Sequence, residues 1–131
     1  MAEQIRIISG EVELRAELNE SVSAKALVDK LPLELRMSRW GDEYYGDCGV
    51  SVEEGPEARD LMEVGELAIW PPGSALCIFF GATPASVEEE PRAASNVNPI
   101  GRISSGAEAM KKLGPSVEVH VESVAKDQMQ G

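Results

Sequence analysis

The sequence predicts a mainly β, single-domain protein: a small closed barrel or sandwich of about eight short strands with two short helices. Three observations carry that reading. Apolar and polar residues alternate along several short segments, as they do on strands with one buried face. Gly, Pro, Asn and Asp punctuate these segments at short intervals, and only two stretches show the helical period. With 131 residues, 43% of them hydrophobic, the chain is long enough to bury roughly two-thirds of its unfolded surface in one core. No internal repeat or second composition regime divides it, so residues 1–124 are expected to form one domain and 125–131 a fraying tail.

Residues 5–8 and 12–18 alternate across Ser9-Gly10 and read as a hairpin. Asn19, Glu20 or Ser21 can cap a helix of about ten residues, in which Ala24, Leu27, Val28 and Leu31 share a face until Pro32 stops it. Leu33, Leu35 and Met37 alternate with Glu34, Arg36 and Ser38; Gly41-Asp42 is a turn, and 43–52 is again extended. After a charged loop at 53–57, residues 60–62 form a short strand. Residues 65–70 and 74–80 are apolar and β-prone, split by Pro71-Pro72-Gly73, whose prolines fix φ and lack amide donors. From Gly81 to Asn98 no periodicity is visible, which reads as a surface loop of about 18 residues, a length at which loops are often functional. Residues 99–103 then form a strand, 106–113 a short helix, and 117–121 a last alternating strand. A closed ring of this size would leave no free edges and would be filled by its own side chains, so a ligand would find room only on the outer face or at the mouth.

Twelve basic residues against 23 acidic ones give a net charge of −11. That balance repels phosphate backbones, and the longest basic run is Lys111-Lys112, so neither nucleic acid nor an anionic membrane is an expected partner. The longest apolar run, 75–80, is far shorter than the roughly 20 residues that cross a bilayer. Met1-Ala2-Glu3-Gln4 carries no secretion signal, so a cytoplasmic location is expected. In that reducing compartment Cys48 and Cys77 are expected as small core residues rather than a bridge. The composition leaves the oligomeric state open.

Metal chemistry needs clustered ligands, and the single histidine, His120, stands mid-strand beside Glu118 and Glu122 with no second His or paired Cys. It reads as a solvated residue, and it offers no nucleophile a partner. Gly41, Gly46 and Gly49 do not make a phosphate loop, so no metal and no cofactor is expected. The 23 carboxylates read as a solvated surface. The six aromatic residues are more informative, because all fall in two windows, 40–45 and 70–80. Strand pairing can gather some of them around one apolar concavity.

Leu76-Cys77-Ile78-Phe79-Phe80, followed by Asn98-Pro99-Ile100-Gly101-Arg102-Ile103 and then Gly106-Ala107-Glu108, resembles the second half of cyclophilins. Nearly the whole chain is similar to a family of small prokaryotic cyclophilin-like proteins. The resemblance rests on Trp40-Gly41-Asp42-Glu43-Tyr44-Tyr45, on the Trp-Pro-Pro-Gly segment within 65–84, and on Ala94-Ser95-Asn96-Val97-Asn98-Pro99-Ile100-Gly101. It implies a closed eight-stranded β-barrel capped by two short α-helices. Cyclophilins stabilise the twisted X-Pro amide with an arginine aimed at the proline nitrogen, a glutamine holding the substrate backbone, and a slot lined by phenylalanine. By the Phe-Phe register the resemblance makes Phe80 the slot residue, puts Ile78 at the glutamine position, and leaves Val97 and Asn98 where a histidine stands. Losing one aligned donor costs about 3 to 4 kcal/mol of transition-state stabilisation by analogy with oxyanion sites. The expected function is therefore a non-catalytic module binding a peptide segment or small molecule through some of Trp40, Tyr44, Trp70, Phe80, Thr83 and Asn98. The alternative is a weak peptidyl-prolyl isomerase with Arg36 or Arg39 as donor.

Overall fold

The structure is a computed structural model that describes residues 3–124; the tail expected at 125–131 lies outside the described residues. Nine strands run in the order β1 (Glu3–Ser9), β2 (Val12–Leu18), β3 (Leu33–Arg39), β4 (Glu43–Asp47), β5 (Arg59–Leu61), β6 (Glu66–Trp70), β7 (Ala75–Phe79), β8 (Arg92–Ile103) and β9 (Ser116–Ser123). One α-helix, α1 (Val22–Val28), follows β2, and two 3₁₀ segments occupy Pro71–Gly73 and Ala107–Lys112.

The strands join as β2-β1-β9-β3-β4-β7-β6-β8, and a further pairing of β8 with β2 returns the sheet on itself, a ring of eight strands with β5 attached outside it along β8. Every neighbouring pair is antiparallel. The closing pairs are Ala16 with Ile103, Glu17 with Arg102 and Leu18 with Gly101. Alternation along each strand decides what fills the ring. Ile5, Ile7, Leu14, Leu18, Leu35, Met37, Tyr44, Leu67, Ile69, Leu76, Ile78, Phe80, Ile100 and Val121 belong to one buried cluster. Residues of opposite parity on β6 and β7, Ala68, Cys77 and Phe79, pack on the other face with Met62, Ala93 and Val97. Both faces of β6 and β7 are thus buried, which is why their sequences are continuously apolar rather than alternating.

Three elements differ from the sequence reading. The segment 81–98 is not all loop: β8 begins at Arg92. Ser95, Asn96 and Asn98 hide its alternation, yet Ala93 and Val97 are buried against Phe79, and β5 pairs with this half of the strand. The first helix is shorter than expected and ends at Val28; the Asp29 amide still bonds four residues back, to Lys25, but those of Lys30 and Leu31 bond three back, the tightening common at helix ends. Ser21 is its cap, accepting from the Ala24 amide at 3.2 Å. The second helix is 3₁₀ throughout. The extended reading of 43–52 holds as strand only to Asp47; the Cys48 amide then donates to the Ser74 carbonyl at 2.9 Å, turning Cys48 and Val50 into the core.

The ring closes through a glycine. A Cβ on Gly101 would run into the Glu17 carbonyl oxygen and sit 2.9 Å from Leu18 Cα, so the β2–β8 approach has no room for a side chain. Gly101→Ala is expected to destabilise by about 1–3 kcal/mol in urea unfolding, the cost of an overpacked site. Gly114→Ala, where an added Cβ meets nothing within 4 Å, is expected to stay within about 0.5 kcal/mol of the parent.

Candidate functional site

β4 places Tyr44 inside the ring and, by alternation, Glu43 and Tyr45 outside it. In register Tyr45 lies opposite Cys77 of β7, and Cys77 lies opposite Ala68 of β6. Above this floor a cavity of about 340 Å³ opens between β4 and the first half of β8, with Glu43, Tyr45 and Cys77 on one side and Ala93, Ala94 and Val97 on the other. Trp40 and Trp70 complete its wall, so both tryptophans of the chain face one site.

Each wall residue is fixed locally. Trp40 and Glu43 exchange backbone hydrogen bonds at 2.8 and 3.2 Å across the β3–β4 turn. That turn needs Gly41, whose φ is +62° and whose added Cβ would clash with Thr83 and Pro84 at 2.8 Å. Trp70 ends β6, and its indole Nε1 donates to Ser95 Oγ at 2.7 Å. Gly73 makes space for that indole, since a Cβ there would lie 2.7 Å from Trp70 Cε3.

Glu43 is the polar group of the cavity. It is 5% exposed, and its Oε1 is buried with no hydrogen-bond partner. Burial pushes its carboxyl up to about 7, against a smaller opposing pull from the hydrogen bond with the Cys77 thiol. The Cys77 thiol is itself raised well above its ordinary value, first by burial and then by the neighbouring Glu43, so it stands protonated at neutral pH. The pair offers a carboxyl poised between its two protonation states and a weak S–H donor.

The sequence candidates divide. Trp40 and Trp70 line the cavity. Tyr44 and Phe80 do not; both lie inside the ring, stacked with centroids 5.5 Å apart, and the Tyr44 hydroxyl donates to the Gly114 carbonyl. Period-two geometry accounts for this: Leu76, Ile78 and Phe80 share the inner parity, and Phe79 has the outer one. Thr83 is a loop latch, its hydroxyl donating to the Arg92 carbonyl and accepting from the Ala85 amide at 3.2 Å. Asn98 ties three segments together: its Nδ2 donates to Ser23 Oγ and to the Glu53 carbonyl, each at 2.9 Å, and its Oδ1 accepts from the Gly55 amide at 2.9 Å.

Neither arginine lines the cavity. Arg39 packs over the Phe80 ring at 5.0 Å. Its guanidinium donates to the carbonyls of Gly41, Lys111 and Leu113 and pairs with Asp42 at 2.7 Å. Arg36 is exposed, 3.8 Å from Glu118 and hydrogen-bonded to Ser116. His120 bonds Glu34 and Glu122, which raise it above its ordinary value. Among the described residues no three His, Cys, Asp or Glu side chains gather as a metal site, and no helix is long and apolar enough to cross a membrane.

Sequence reasoning missed Glu43, Tyr45, Cys77, Ala93, Ala94 and Val97. The alternation of β4 contained the signal for the first two, since Tyr44 inside requires Glu43 and Tyr45 outside; the β8 residues were concealed in an apparent loop.

A family model described as cyclophilin-like matches residues 3–122. Among solved structures, a hypothetical protein from Archaeoglobus fulgidus, known from its solution structure, is 38% identical, with 94% of this chain and 95% of that one covered at a TM-score of 0.80. No curated protein sequence matches.

A buried carboxyl titrating near neutrality ties stability to pH. Because the folded state holds the Glu43 proton more tightly than the unfolded chain does, stability rises as pH falls from about 7 to about 4.5 and is lowest above 7. Glu43→Gln should flatten this segment of the profile by up to about 3 kcal/mol in urea titrations across the range. His120 adds a slope of the same sign above 6.5 in both proteins, so the difference between them isolates Glu43.

Proposed function

The chain belongs to the cyclophilin-like family, and from that premise we propose that it is a binding module of that family's barrel type. It accepts a small molecule or a single peptide side chain in the outer cavity walled by Trp40, Tyr45 and Trp70. The observation that carries this reading is the cavity itself: an apolar depression of about 340 Å³, within the size range of small-ligand sites, holding a single buried carboxyl as its polar anchor. Aromatic walls with one fixed polar group are the usual composition of such a site, the first supplying contact area and the second orientation.

The isomerase alternative receives less support. A prolyl isomerase needs a donor aimed at the proline nitrogen in the twisted amide. The guanidinium of Arg39 is committed to four partners, and that of Arg36 to Glu118 and Ser116. Glu43 in its neutral form is a hydrogen-bond donor, but it is a residue of the cavity lining with no counterpart to a guanidinium's five donors.

Because both tryptophans line the cavity, intrinsic fluorescence reports its occupancy. Titration with a panel of proline-containing peptides, small apolar amides and small organic ions of either charge is expected to give a saturable tryptophan signal for at least one member, weakened roughly tenfold or more by Trp70→Ala, the loss expected of an aromatic anchor. No member giving such a signal would sink the proposal. In a coupled X-Pro isomerisation assay the protein is expected to leave the uncatalysed rate unchanged; an acceleration that disappears in Arg36→Ala or Arg39→Ala would establish the isomerase instead.

A further inference from the structure

Among the described residues only two buried side-chain polar atoms lack a hydrogen-bond partner, Arg6 Nε and Glu43 Oε1. Arg6 has its charge met elsewhere, by Glu122 at 2.8 Å. Among the described residues no lysine, arginine or histidine pairs with Glu43, and none figures among the causes of its shift. The other buried carboxylate is matched, since Glu66 is bidentate with Arg59 at 2.7 and 3.0 Å, and the half-buried Asp42 beside Glu43 is paired with Arg39. The cavity lining contributes no lysine, arginine or histidine.

An unmatched buried carboxylate is costly unless a partner arrives. Here three aromatic side chains line the same cavity, and aromatic ring faces attract cations. The protein's net charge of −11 also concentrates cations at its surface. Resting on the reading of the cavity as a ligand site, we infer that its ligand is a small organic cation, an alkylammonium ion whose charge pairs with Glu43 and whose alkyl groups lie against Trp40, Tyr45 and Trp70. A neutral apolar ligand would leave Glu43 Oε1 unpaired, and an anion would be repelled by it. A divalent metal would find one carboxylate and no further ligand cluster.

The groups facing Glu43 leave it as the titrating anchor. On β7 the neighbour is Cys77, held protonated; on β4 it is Tyr45, and in the adjoining turn Asp42, paired with Arg39 and 3.8 Å from Lys111. The lining residues of β6 and β8, namely Trp70, Ala93, Ala94 and Val97, are not ionisable. Binding of a cation therefore expels the Glu43 proton, and affinity climbs as pH rises through about 7.

The test compares choline with its uncharged carbon isostere, 3,3-dimethylbutan-1-ol, following tryptophan fluorescence of the full chain at constant ionic strength. Choline is expected to bind at least about tenfold more tightly than the isostere near pH 8.5, and to lose about tenfold or more near pH 5.5, while the isostere changes little. Glu43→Gln is expected to remove most of the choline preference and its pH dependence, leaving only the smaller attraction of the aromatic walls. The wild-type comparisons need no variant, so they decide the matter even if that substitution unfolds the protein. Equal binding of the two probes by the wild type, or a choline preference and pH dependence undiminished by Glu43→Gln, overturns the inference. Binding of the alcohol alone overturns it while leaving the cavity a ligand site; binding of neither at millimolar concentrations removes both. A peptide carrying trimethyllysine presents the same head group on a chain. Tighter binding of that peptide than of tetramethylammonium assigns the cation to a peptide side chain, and the reverse order to a free ion; either order supports the pairing with Glu43.

Discussion

Closure of the strand ring between β2 and β8 is the constraint from which the other features follow. A sheet of eight strands that returns on itself has an interior just wide enough for its own side chains, and Ile, Leu, Val and Met from around the ring fill it, with Tyr44 and Phe80 among them. The outer face is where a site can form, and it is only partly available, because β5 and the first half of β8 cover β6 and β7. The cavity lies where that cover meets the outer face of β4. The close approach of Gly101 to β2 is one of the contacts that hold this ring shut.

The polar groups divide in the same way. Arg39, Asn98 and Thr83 resemble functional residues because they are polar, inwardly placed and held in geometry, yet every one is consumed by the fold. Arg39 joins the β3–β4 turn to the segment before β9; Asn98 fastens α1 and the 53–55 loop to β8; Thr83 holds the 83–92 loop. A buried hydrogen-bonding group with all its partners present is stabilising framework. Glu43 stands apart because its Oε1 is buried with no hydrogen-bond partner.

The ring was legible in the sequence to the extent that alternation was clean. β1, β2, β3 and β9 each have one solvated face, so period two reads directly, and Pro32, Gly41 and Pro71-Pro72-Gly73 mark the turns. The first half of β8 was not legible, because its outward positions are Ser95 and Asn96 and its burial depends on Phe79, a residue distant in sequence. For the cavity, the clustering of aromatic residues pointed to two windows, and Trp40 and Trp70 from them line one cavity. Parity was the missing step. Identity of residue type made Tyr44 and Phe80 attractive, while one position of register sends them to the opposite side of the sheet from Tyr45 and Cys77. Glu43 was lost among 23 carboxylates, since composition cannot tell which of them the fold removes from water.

Cys77 has a further effect on the durability of this surface. Peroxides and mixed disulfides react with a thiolate and hardly at all with a thiol, and the environment of Cys77 keeps its proton in place. Sulfur chemistry at that position is suppressed by the same apolar surroundings that shape the depression. Cys77 should therefore stay a plain thiol when the surrounding medium turns oxidising, a resistance to chemical wear that a more exposed cysteine would not have.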